Sequence, residues 1–117
     1  MHEIKPSTLK WENTGRKYFR KMLMRVGNNI KKDTKVEIVR ILPNAIVKPH
    51  YHAGQDELEY ILSGSGAVKS KKQLIRLMPG SIFTVAPNEI HEVKAGKNGL
   101  LLLVTKANYS DDTEWLE

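Results

Sequence analysis

The sequence predicts an all-β fold, a sandwich or barrel of short strands. From residue 35 onward, runs of β-branched and aromatic residues recur about every ten positions, as the strands of a half-buried sheet do. Turn signals separate them, at Pro43-Asn44, Ser63-Gly64-Ser65-Gly66, Pro79-Gly80 and Ala95 to Gly99. The chain of 117 residues is long enough for one domain with a real core and leaves no room for a second.

Residues 1–15 read as an irregular arm, with Pro6, Ser7, Thr8 and Asn13-Thr14-Gly15 as turn formers. Arg16 to Val26 carries two periods. Tyr18, Phe19, Met22, Leu23 and Val26 fall at helical spacing, while Met22, Met24 and Val26 alternate. The β character downstream favours a strand, broken at Gly27-Asn28-Asn29. Val36 to Leu42 is the next strand, and Ala45 to Lys48 leads into a histidine pair. Leu58 to Leu62 follows. Ala67 to Lys69 and Gln73 to Met78 make a hairpin around a basic turn. Ser81 to Val85 is a strand, residues 86–90 a loop, and His91 to Lys94 a further strand. Ala95 to Gly99 then turns the chain into Leu100 to Thr105. The acidic tail from Ser110 is expected to form a helical turn, with Trp115 and Leu116 packing down. The expected layout is a single domain: residues 1–30 as N-terminal arm or edge strand, 35–106 as barrel, and 107–117 as tail.

No apolar run approaches the roughly 20 residues that cross a bilayer, and the N-terminus lacks a signal peptide's apolar core. There are no cysteines, hence no disulfide and no thiolate site, which fits a cytoplasmic protein. Net charge is +6, split as +8 over residues 1–48 and −2 over residues 49–117. A basic segment of that kind can meet nucleic acid, but no nucleic-acid motif accompanies it. A solvated surface is the simpler reading.

The chemistry sits in Lys48-Pro-His-Tyr-His-Ala-Gly-Gln-Asp-Glu57. Residues two apart on a strand share a face, so His50 and His52 project two imidazoles the same way. A turn near Gly54 returns Glu57 beside them, and a later strand start supplies His91. Three imidazoles and a carboxylate make a divalent-metal site. Glu59 shares the parity of Glu57, and both can face inward. Its roles there are holding a histidine tautomer or acting as a catalytic general base. Lys48, by parity with His50, and Arg40 are the candidate cations for a substrate carboxylate or phosphate. Ile61 and Phe83, with Val85 and Val93, are expected to line the pocket. Tyr51 and Tyr60 have the opposite parity and suit packing or an interface.

These residues resemble the cupin superfamily. Its first motif runs glycine, five residues, His-x-His, three or four residues, Glu, six residues, glycine. His50, His52, Glu57 and Gly64 match it, with Asn44 in the place of the leading glycine. In the second motif Gly80 and His91 match, while Ala86, Asn88 and Ala95 stand for proline, glycine and asparagine. The resemblance covers roughly residues 36–105. It implies a double-stranded β-helix, the cupin jelly roll, with His50, His52, Glu57 and His91 holding one divalent ion (Mn, Fe, Ni, Cu or Zn). It favours Glu57 over Glu59 as the ligand. It further implies a homodimer and a small-molecule ligand, with dioxygenase or isomerase chemistry as the leading activity. A non-catalytic metabolite- or sugar-binding module is the alternative.

Overall fold

The computed structural model describes residues 1–28, 31–109 and 113–116, with backbone alone for 26–28, 31–33 and 109. Of the expected break at Gly27-Asn28-Asn29, a strand runs through Gly27 and Asn28, while Asn29 and residues 110–112 lie outside the described residues. Among the described residues, a 3₁₀ turn at Pro6–Thr8 is followed by β1 (Glu12–Asn13), β2 (Tyr18–Asn28), β3 (Lys31–Ile41), β4 (Ile46–His52) and β5 (Asp56–Ser70). β6 (Leu74–Leu77), β7 (Ile82–Val85), β8 (His91–Tyr109) and β9 (Thr113–Trp115) complete the sheet. Its order is β1-β2-β3-β8-β4-β9, with β5 also pairing β6, β7 and β8.

β8 organises the fold because it changes neighbour along its length. Leu100 onward pairs with β3, while His91 to Lys94 pairs with β4, and β5 lies against both stretches. β8 is continuous through the expected turn at Ala95 to Gly99, but its register against β5 slips there, with Ser65 alone opposite residues 96–99. β5 likewise continues through Gly64 and Gly66. Glycine permits this. Gly64 has φ +86°, and a Cβ there would lie 2.0 Å from the Gly99 carbonyl oxygen, so any larger residue would push the two strands apart.

β2 is a strand, as the β character downstream suggested, and pairs with β3 from Tyr18 to Asn28. Asn44, in the place of the motif's first glycine, has φ +59°, and Asn88, in the place of another, has φ +64°. Asparagine is the non-glycine residue best suited to that left-handed region, so both departures keep the backbone path. The tail differs from expectation. Thr113–Trp115 forms a strand rather than a helical turn, and Leu116 is exposed while Trp115 packs on the core. Tertiary pairing with β4 overrides the local preference of a three-residue stretch.

Register sorts the interior of β3, β8 and β5 into rows. Lys35, Lys106 and Glu57 face one another, then Glu37, Val104 and Glu59, then Val39, Leu102 and Ile61. Val85 and Phe83 of β7 extend the first two rows. Apolar residues at the far end form the core, where Ile61 and Leu102 are wholly buried. Burying such a side chain stabilises by about 1.5–3 kcal/mol.

Candidate metal centre

β4 delivers the histidines through a kink. Its pairing with β8 slips between Val47 and His50, at Pro49, a residue that cannot donate to a ladder. The slip shifts parity by one. Val47, His50 and His52 are buried while Lys48 points outward and is exposed. This corrects the expectation of an inward Lys48. Arg40 is also outward: Lys35, Glu37, Val39 and Ile41 are the buried parity of β3. The even-numbered residues Val36, Ile38 and Leu42 are as apolar as the odd ones, so hydrophobicity alone misassigned the faces.

His50, His52 and His91 are all buried. Their ring nitrogens can be chosen so that all lie within 4.8 Å of one another, and donor atoms of Glu57, Glu59 and His91 form a second such group. His50 Nδ1 is 2.8 Å from the Lys48 carbonyl oxygen, and His91 Nδ1 is 2.9 Å from that of Glu89. A carbonyl only accepts, so each Nδ1 carries the proton and each Nε2 keeps a bare lone pair. His52 Nδ1 instead meets the Thr113 hydroxyl at 2.9 Å, and its Nε2 lies 2.8 Å from Glu57 Oε1. Adjacent ligands of one ion, each about 2.1 Å from it, sit roughly 3 Å apart. The donor set fits a metal ion.

Gln55 Nε2 also donates to Glu57 Oε1, at 3.0 Å, and Lys106 Nζ lies 3.8 Å from it. Burial works to raise the Glu57 pKa, but the His52 hydrogen bond and the Lys106 charge outweigh it and hold the group well below the carboxylate range. Glu59 goes the other way. Its burial, reinforced by the Glu57 charge and their mutual hydrogen bond, raises its pKa well above the ordinary value. The pair therefore splits into a carboxylate, Glu57, and a carboxylic acid, Glu59. Burial, then the nearby His91, lowers the His50 pKa to about 4, and burial also lowers that of His91. Both rings are neutral near pH 7, as metal binding requires.

Beyond the donors, Lys106 Nζ is 3.4 Å from Glu37 Oε1 and Lys35 Nζ is 3.3 Å from Glu37 Oε2. Burial disfavours the Lys35 cation and lowers its pKa, against the attraction of Glu37. The cavity is walled by the histidines, Glu57 and Glu59 on one side and Glu37, Lys106 and Tyr18 on another, with Val47, Val93 and Val104 between. About 50 Å³ of free space remains. That exceeds the roughly 10–15 Å³ a cavity needs to hold a water, so an ion or ordered water fits beside the donors. Ile61 and Phe83 are buried but lie outside the cavity wall.

The sequence reading passed over Glu37, Lys106, Thr113 and Trp115. Lys106 was legible as the continuation of the inward run Leu100, Leu102, Val104. Thr113 and Trp115 share a parity, but three residues are too few to show a period. Trp115 lies 4.6 Å from the His50 ring, centroid to centroid, and the Arg16 guanidinium lies 4.1 Å from the Trp115 ring centroid.

A curled β-sheet with three imidazoles and a carboxylate converging inside it defines a barrel built to present ligands inward. The model of the cupin domain matches residues 37–105, and the chain belongs to the cupin family. Solved structures share its double-stranded β-helix. KdgF from Halomonas sp. is 20% identical over 90% of this chain and 91% of that one, with a TM-score of 0.78. An RmlC-like cupin from Shewanella frigidimarina is 21% identical over 95% and 94%, also at 0.78. The polyketide cyclase RemF from Streptomyces resistomycificus is 15% identical over 100% and 86%, at 0.80. No curated protein matches the sequence. No helix among the described residues is long and apolar enough to cross a membrane.

Proposed function

We propose that His50, His52, Glu57 and His91 hold one divalent transition ion (Mn, Fe, Ni, Cu or Zn). On this reading the loaded protein is an enzyme of dioxygenase or isomerase type acting on a small anionic organic molecule. The observation that carries this is the fixed tautomer of His50 and His91, each with Nδ1 tied to a carbonyl and Nε2 left bare. Such an ion, when bound, supplies Lewis-acid polarisation of a carbonyl and, if redox-active, oxygen activation. Glu59 is the candidate catalytic group: held as an acid beside Glu57, it can donate a proton or hydrogen bond to a ligand in the cavity. Lys106, whose ammonium already meets Glu37 and Glu57, lines the cavity in place of the outward Lys48 and Arg40. Polyketide cyclase RemF, of like fold, is an enzyme by its name.

The test is elemental analysis of untagged protein beside His50→Ala and His91→Ala. About one equivalent of metal, lost in both variants, is expected; no metal even after reconstitution sinks the reading. The alternative is a non-catalytic metabolite- or sugar-binding module, favoured by the small free space beside the donors. Bound metal without oxygen uptake or isomerase turnover would select it. The homodimer implied by the family resemblance stays a proposal. Leu58, Tyr60, Leu62 and Ile82, exposed on adjoining strands, support it, and sedimentation velocity measures it.

A further inference from the structure

We infer that Thr113 is a positioning residue for metal uptake, its hydroxyl allowing His52 to exchange tautomers between the metal-free and loaded states. The inference rests on the metal reading above. Its ground is a difference in partners. The Nδ1 atoms of His50 and His91 face carbonyl oxygens, which accept and never donate. That of His52 faces a hydroxyl, which does either.

His52 needs both. Its Nε2 lies 2.8 Å from Glu57 Oε1, and an ionised carboxylate accepts only. In the neutral ring without metal, Nε2 therefore carries the proton, Nδ1 is bare, and the Thr113 O–H donates to it. A metal ligand must offer the Nε2 lone pair, so in the loaded state the proton sits on Nδ1 and the Thr113 oxygen accepts it. The ring keeps one proton throughout: one leaves Nε2 to solvent and one is taken up at Nδ1. The same exchange releases Glu57 Oε1 from its His52 hydrogen bond and frees it as a ligand. A carbonyl opposite Nδ1 would oppose the metal-free state, and an apolar side chain would leave Nδ1 unpaired in both.

β9 makes this possible by its register. His52 pairs with Thr113 and His50 with Trp115, so one short strand sets the hydroxyl on one candidate ligand and an indole against another. Leu116 N–H donates to the Pro49 carbonyl at 2.9 Å and anchors the strand's end.

The test uses the full chain and zinc, a diamagnetic probe. Imidazole ¹⁵N spectra in mildly alkaline buffer should show His52 as the Nε2–H tautomer without zinc and Nδ1–H with it. His50 and His91 should read Nδ1–H in both states. Thr113→Val should weaken zinc binding by about 10–100-fold, and Thr113→Ser should restore it. A His52 tautomer that is the same with and without zinc overturns the inference and leaves the metal reading standing. So does Thr113→Val binding zinc as tightly as wild type. Zinc refused by the wild type overturns the metal reading and this inference together. Should Thr113→Val fail to fold, the wild-type spectra and the Thr113→Ser affinity decide.

Discussion

β3, β8 and β5 build two different interiors within a few residues of one another. At one end their inward row is Lys35, Lys106 and Glu57; two rows further along it is Val39, Leu102 and Ile61. Backbone, pairing and alternation are the same in both. The apolar row needs nothing but close packing. The charged row is stable only as a set, because each buried ion depends on its neighbours for what water would have given it. Alternation thus decides which residues enter the barrel, whereas the row decides whether they make core or site.

The contrast is sharpest under truncation. Leu102→Ala should cost roughly 2–5 kcal/mol through its cavity, leaving metal content per folded molecule unchanged. Lys106→Met should cost about 3 kcal/mol in metal-free protein, through the carboxylates it leaves behind, and should also alter metal affinity. Urea midpoints with elemental analysis on both variants separate the two rows. Equal effects on metal would erase the distinction.

Glu59 gives a finer probe because it is a buried acid in the row between. Its folded pKa is raised, so between the unfolded value near 4.5 and the folded one the native state holds the extra proton. That contribution is full at low pH and is lost as pH rises through this window. Glu59→Gln, permanently neutral, should gain on wild type as pH climbs from about 4 toward neutrality. Parallel stability–pH curves would mean that Glu59 is ionised in the fold.

The smallest effects belong outside the barrel. Arg40→Ala and Lys48→Ala, on exposed outward positions, should each change stability by no more than about 0.5 kcal/mol and leave metal content intact. Loss of metal in Lys48→Ala would show that the kink at Pro49 does not hold in solution.

Residue type and spacing alone determined the all-β class and the grouping of His50, His52, Glu57 and His91. Those depend on period and turn chemistry, which are local and written in the chain. Asn44 was legible for the same reason, since left-handed tolerance belongs to the residue itself. Tertiary structure alone decided the rest. Lys48 points outward because of a register slip between β4 and β8. Lys35, Lys106 and Glu57 meet because three strands distant in sequence share a row. Thr113 reaches His52 because β9 pairs with β4. Register is set by every contact along two strands together, so no single stretch of sequence carries it.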